Sequence, residues 1–173
     1  TADVEGLDAR RKLVLSADLA FGVNIKEEDI PCVGISSITA ADIARAKEEG
    51  LTYKLIARAE KSGNAVAAFV CPTLFPSSAP EAHTDGTGNL ATLYAARFGR
   101  QSGYPTGSSV RRDCLDIADG CRSFYADSFV PRSVNLSGMQ GKWLFRCMGE
   151  TFVRECSARE AFDAYESYRK DDP

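Results

Sequence analysis

The residues best placed to do chemistry are Asp8 and Lys12, four apart in the stretch from Leu7 to Phe21. On a helix that spacing puts them one turn apart on a single face, and Ser16 continues the stripe. A carboxylate and an ammonium in that relation can hold a polar substrate and pass a proton to or from it. The same pair is also what an exposed helical ion pair looks like, which stabilises a helix by only about 0.3 kcal/mol. Spacing alone leaves both readings standing.

Positioning the pair requires a helix over residues 7–21. Gly6 ends the preceding loop, Asp8 falls in the first turn where a carboxylate suits the positive end of the helix dipole, and Gly22 follows Phe21 as a stop. Leu13, Val14, Leu15, Ala17, Leu19, Ala20 and Phe21 leave the second half little polar surface, which predicts burial on most sides.

Other chemistries are poorly supplied. His83 is the only histidine, the six cysteines are scattered with no C-x-x-C, and no zinc site is expected. The cysteines form no disulfide framework in a chain this long, so reduced thiols and a cytoplasmic location are expected. A net charge of -3 points to neither nucleic acid nor an anionic membrane as partner. No run of about 20 apolar residues or signal-peptide pattern is present. With 44% hydrophobic and 26% charged residues, the 173-residue chain reads as a soluble globular domain, or one domain with an appendage.

Residues 23–30 read as a short polar link and residues 31–38 as an extended segment. Thr39 is a candidate N-cap, with Asp42 as its acidic partner, for a helix over 40–49 that Gly50 closes. Residues 51–59 and 65–71 predict a hairpin joined by 60–64, with Lys54 and Arg58 facing solvent. The prolines between Pro72 and Pro80 predict a loop that continues through 81–88. Residues 89–98 fit strand and helix equally by spacing. Thr106 or Ser108 can cap a helix reaching Ala118. Beyond Gly120, residues 142–147 and 151–155 read as strands around Met148, Gly149 and Glu150, Ser157 caps a helix over 158–169, and Trp143 reads as a core anchor.

Several stretches carry a family resemblance. Asp3-Val-Glu-Gly-Leu-Asp8-Ala-Arg-Arg-Lys12 resembles D-x-x-G-x-D-x-x-x-K, which opens the substrate helix of homoserine dehydrogenases. Gly34-Ile-Ser-Ser-Ile-Thr-Ala-Ala-Asp-Ile-Ala-Arg-Ala-Lys47 is similar to the family's G-I-x-x-I-T-x-x-D-I-x-x-A-K. Pro72-Thr-Leu-Phe-Pro76 and Pro105-Thr-Gly-Ser-Ser-Val110 follow in the family's order.

The resemblance implies a mixed, mostly antiparallel α/β domain over 1–120, with helices 7–21, 40–49 and 106–118 packed mainly on one face and a strand within 89–98. Residues 121–173 are a C-terminal extension, either a shortened ACT-like unit or a hairpin and helix that pack back on the domain. It also implies NAD(P)-dependent interconversion of L-homoserine and L-aspartate 4-semialdehyde, a step toward threonine and methionine. Lys12 and Asp8 would be catalytic, and Asp3, Asp8 and Lys12 would bind substrate. Gly99, Gly103 and Thr106 would belong to the family's cofactor-facing glycine turn, close to G-P-G-A-G-x-x-P-T. Here the chain departs from the pattern: Arg100, Gln101 and Ser102 stand where small residues are expected, and the stretch after Asp85 is shortened.

No G-x-G-x-x-G fingerprint is present and the chain opens at Thr1 inside the first motif, so a piece of a longer protein is expected. NAD(P) would be bound mainly by a separate domain, and the piece alone would be inactive. The family's glutamate ahead of the first motif is not in this chain. A homodimer through the open sheet face is the expected assembly. The alternative function is a non-catalytic amino-acid sensor or scaffold descended from the same family.

Overall fold

The computed structural model describes residues 1–86, 90–95, 99–103, 118 and 129–171. In chain order the elements are α1 (Leu7–Phe21), β1 (Val23–Asn24), α2 (Ala40–Glu48), β2 (Leu51–Ser62), β3 (Ala65–Pro76), β4 (Ala91–Ala95), β5 (Gly99–Gly103), β6 (Val130–Pro131), β7 (Gln140–Cys147), β8 (Glu150–Ser157) and α3 (Ala158–Asp171). Short 3-10 turns occupy Glu27–Asp29 and Pro80–His83. The expected mixed α/β architecture is present. Its described strands form four two-stranded sheets rather than one: β1 with β6 in parallel, and β2 with β3, β4 with β5 and β7 with β8 as antiparallel hairpin pairs.

Two compact units divide the described residues. One collects 1–37, 55–72 and the residues from 129 onward; the other collects 38–54 and the described residues from 73 to 118.

β3 organises the first unit because Val66 to Val70 is buried on both of its faces. Side chains alternate along a strand. Val66, Ala68 and Val70 face a core made with Leu13 and Ala17 of α1 and with Val23, Ile25 and Ile30. Ala67 and Phe69 face a second core made with Leu136, Met139 and Ala158, which Trp143 and Phe162 join. The second edge of β3 is satisfied by short bridges, with Val33 N–H donating to Val70 O at 2.9 Å and Asn135 N–H to Val66 O at 2.8 Å. Those segments turn away after one or two residues, so the ladder does not grow into a wider sheet.

The C-terminal hairpin and helix therefore share a core with β3. Trp143, Phe69 and Phe162 pack as a triad, with ring centroids 5.5 Å (Phe69–Trp143), 5.8 Å (Trp143–Phe162) and 5.7 Å (Phe69–Phe162) apart, and the Trp143 indole N–H donates to Cys156 O at 3.1 Å. The hairpin turns at Met148 and Gly149 as expected. Ser157 and Glu160 form a reciprocal capping box at the head of α3, and the hydroxyl and amide bonds from Ser157 hold the Glu160 carboxyl below its ordinary range.

In the second unit Thr39 and Asp42 form the expected capping box of α2, which buries Ala46. Lys54 departs from expectation. Its side chain is only 21% exposed and its ammonium bonds Thr84 O and Asp85 Oδ1, both at 2.9 Å. Arg58, in the first unit, is exposed as expected and pairs with Glu60.

Elsewhere too, burial and strand extent are decided by contacts distant in sequence. β3 runs on to Pro76 through residues expected in a loop, which its two-stranded sheet permits because a proline can occupy an edge. Residues 23–30 are not a polar link: Val23, Ile25 and Ile30 are core. The second half of α1 is buried on one side only, with Leu15 and Leu19 at 53% and 50% exposure. The helix expected over 106–118 lies outside the described residues apart from Ala118.

The buried polar group of α1 is Asp18, whose carboxylate accepts the Ile25 N–H at 3.0 Å and ties the helix end to the turn that follows. Asp18→Ala strands that buried donor and should cost about 1–2 kcal/mol, read as a lower denaturation midpoint with an unchanged slope.

Candidate functional site

The loop before α1 folds onto the helix it introduces. Ala2 O accepts the Leu7 and Asp8 N–H groups at 2.9 and 3.3 Å, Gly6 N–H donates to Asp3 O at 3.2 Å, and Glu5 N–H donates to Thr1 O at 3.1 Å. A backbone carbonyl thus does what a side-chain cap does elsewhere, since Gly6 at the N-cap offers none.

Gly6 is at φ 77 and tightly enclosed. A Cβ there would lie 3.0 Å from Cys32 Sγ and 3.0 Å from Val70 Cγ1. Gly6→Ala should cost about 2 kcal/mol, from the left-handed backbone and the crowding together. Thermal denaturation of the folded variant would show it.

On the helix so placed, Lys12 Nζ lies 2.7 Å from Asp8 Oδ2, with side chains 67% and 44% exposed. The hydrogen bond to Asp8 is the main cause that raises the Lys12 pKa above its ordinary value. The Asp8 charge adds to it, the little burial present opposes it, and Asp3 contributes a further upward push. The pair is open to solvent, and Asp3 on the adjoining loop adds its charge to it. A lowered pKa would help Lys12 accept a proton; this geometry pushes it the other way. Ser16 does not extend the stripe as a functional group, because its hydroxyl donates back to Lys12 O at 2.8 Å.

Behind the pair, Arg10 grips Glu27 Oε1 through Nε and Nη2 at 3.2 and 3.0 Å, bracing the exposed helix against the Glu27–Asp29 turn. Cys32 donates its thiol to Glu5 O at 3.2 Å, and its burial raises the thiol's pKa, so it stays protonated and acts as a donor. Cys32, Cys71, Cys147 and Cys156 are all free thiols.

The second glycine motif packs against this loop. A Cβ on Gly34 would fall 2.6 Å from Glu5 Cα and 2.6 Å from Val4 O, so only glycine lets the two segments pass. Ile35 N–H donates to Val4 O at 2.9 Å, and the Ser36 hydroxyl donates to Glu5 Oε1. Glu5, Gly34 and Ser36 were not singled out from the sequence as site residues. Both motifs contain them, but their pairing spans 31 positions.

The residues expected in the cofactor-facing turn are not arranged as a turn where they are described. Gly99–Gly103 is a strand, with Gly99 opposite Ala95 and Gly103 opposite Ala91. Arg100, Gln101 and Ser102 register with Tyr94, Leu93 and Thr92. Thr106 lies outside the described residues. Among the described residues no cluster of His, Cys, Asp and Glu is arranged for a metal ion, and no helix is long and apolar enough to cross a membrane.

Comparison with known proteins agrees across sequence and structure. The sequence model of the homoserine dehydrogenase family matches residues 1–115. Homoserine dehydrogenase of Bacillus subtilis is 36% identical over 138 residues, which is 75% of this chain and 32% of that protein. That of Corynebacterium glutamicum is 40% identical over 130 residues, 68% of this chain and 29% of that protein. Among solved structures, a homoserine dehydrogenase from Thiobacillus denitrificans superposes with a TM-score of 0.65 at 27% identity, covering 83% of this chain and 38% of that one. The S. aureus enzyme gives 0.61 at 34% identity, covering 70% and 32%. The chain spans roughly a third of the length of these relatives. With both glycine motifs of the sequence meeting at the loop that opens the helix of Asp8 and Lys12, and with relatives that agree in sequence and in fold, this chain belongs to the homoserine dehydrogenase family.

Proposed function

We propose that this chain is the substrate-handling part of an oxidoreductase that interconverts L-homoserine and L-aspartate 4-semialdehyde, in the biosynthesis of threonine and methionine. The observation that carries the reading is the 2.7 Å Asp8–Lys12 pair at the exposed head of a helix, beside a loop that offers a second carboxylate, Asp3.

In this reading Lys12 is the group that meets the substrate oxygen. An aldehyde carbonyl becoming a hydroxyl accumulates negative charge on oxygen and needs a proton, and a protonated Lys12 supplies the positive charge and the proton together. In the opposite direction Lys12 must first be neutral to accept the hydroxyl proton. Asp8 orients the ammonium and shares in substrate binding, and Asp3 binds the substrate's own ammonium group. Residues 1–120 are assigned to this domain and 121–173 to its extension.

The electron acceptor of such a reaction is NAD(P), which a separate dinucleotide-binding domain would hold. Residues 99–103, expected in an open turn that faces the cofactor, pair as a strand with β4. A homodimer and a cytoplasmic location belong to the same proposal, and the 173 residues by themselves are expected to be inactive. The altered 99–103 stretch favours a second reading, a non-catalytic amino-acid sensor or scaffold. L-Homoserine oxidation by the complete polypeptide of the gene, with NAD and NADP in turn, separates them. Turnover supports the enzyme; folded protein that binds homoserine without turnover supports the sensor.

A further inference from the structure

The loop Thr1 to Glu5 is exposed along its whole length and buries no large side chain of its own. A substrate-binding carboxylate on such a loop, which backbone bonds tie to the head of α1, also needs contacts beyond the loop to hold it. Three contacts with residues 32–36 do so: Cys32 Sγ to Glu5 O, Ile35 N–H to Val4 O, and the Ser36 hydroxyl to the Glu5 carboxylate. Gly34 lets the two backbones approach closely enough for all three. The first two use backbone acceptors that any sequence would provide. The third is specific to these side chains, and a hydroxyl donating to a carboxylate is among the stronger hydrogen bonds at a surface.

We propose that Glu5 and Ser36 are positioning residues, a side-chain clasp that fixes Asp3 relative to the Asp8–Lys12 pair without itself touching substrate. This rests on the substrate-binding role proposed for Asp3. Lys12 and Asp8 ride on α1, which is anchored independently through Leu13, Ala17 and the Arg10–Glu27 contact. Loss of the clasp therefore loosens the Asp3 loop, leaving it on its backbone bonds from Gly6, Leu7 and Asp8 to Asp3 and Ala2, while the helical pair stays in place. Binding should suffer and the chemical step should not.

The test measures kcat and KM for L-homoserine in the complete polypeptide, beside amide hydrogen exchange at Ile35. Ser36→Ala and Glu5→Ala should each raise KM about tenfold with kcat within about twofold, and speed exchange at Ile35. Ser36→Thr, which keeps the hydroxyl, should restore KM. The variant Asp3→Asn combined with Ser36→Ala should show no KM increase beyond Asp3→Asn alone, because the clasp acts through Asp3. Additive effects would overturn the proposal, as would faster Ile35 exchange with KM unchanged, which marks a merely structural contact. If the wild type neither turns over nor binds homoserine, the functional reading falls and takes the clasp's role with it. If the wild type turns over and only the KM pattern fails, the clasp alone falls.

Discussion

Lys12→Ala should lower homoserine turnover by the complete polypeptide about 100-fold or more, the loss typical of a positioned acid or base. Folding should be unaffected. The side chain is 67% exposed, and its pairing with Asp8 across one helical turn contributes little to stability. Circular dichroism of the variant should match the wild type, so the loss can be assigned to chemistry.

Lys12 also sets a direction in pH. The hydrogen bond and charge of Asp8 raise its pKa, so at neutral pH it is an ammonium, which in the proposed reaction can donate toward the aldehyde oxygen but cannot accept the hydroxyl proton. Homoserine oxidation should therefore rise with pH into the alkaline range, while aldehyde reduction falls over the same range. Asp8→Asn removes the largest cause of the raised pKa and should move the alkaline limb of oxidation to lower pH, even as it lowers the maximum. Any stability the pair provides is fully present below the ordinary lysine pKa and is lost as pH rises through the raised one. An oxidation profile that Asp8→Asn leaves in place would mean that Lys12 is not the group being titrated.

Legibility in the sequence followed the range of the interactions. Gly6 and Gly22 bound α1 at the residues expected, and Thr39 with Asp42, and Ser157 at the head of α3, cap their helices as their types suggest. All of these are local. The Asp8–Lys12 pair was legible because four residues make one turn. Burial was not, because it depends on what packs from elsewhere. Leu15 and Leu19 read as core and are exposed, whereas Val23 and Ile25 read as linker and are buried. Lys54 read as surface because the Asp85 it meets lies 31 positions along the chain. The same distance hid the Glu5–Ser36 contact, although both residues stand inside recognised motifs.

Trp143→Ala should cost about 3 kcal/mol, the low end for a truncated core aromatic because Trp143 is only partly buried. The indole does two things at once. Its ring packs against both Phe69 on β3 and Phe162 on α3, and its N–H donates to Cys156 O. Truncation opens a cavity and strands a carbonyl. The consequence should reach the candidate site through β3, because Phe69 on one face and Val70 on the other are adjacent residues of one strand, and Val70 encloses Gly6. A variant that remains folded should thus also bind homoserine more weakly, although Trp143 touches none of Asp3, Asp8 or Lys12. Trp143 is the chain's only tryptophan, so unfolding must be followed by circular dichroism rather than intrinsic fluorescence. Val153→Ala, at a side chain 62% exposed on the neighbouring strand, is the control and should stay within about 0.5 kcal/mol of wild type. If both variants cost the same, the hairpin and helix form no real core with β3, and the path from Trp143 to Gly6 is wrong.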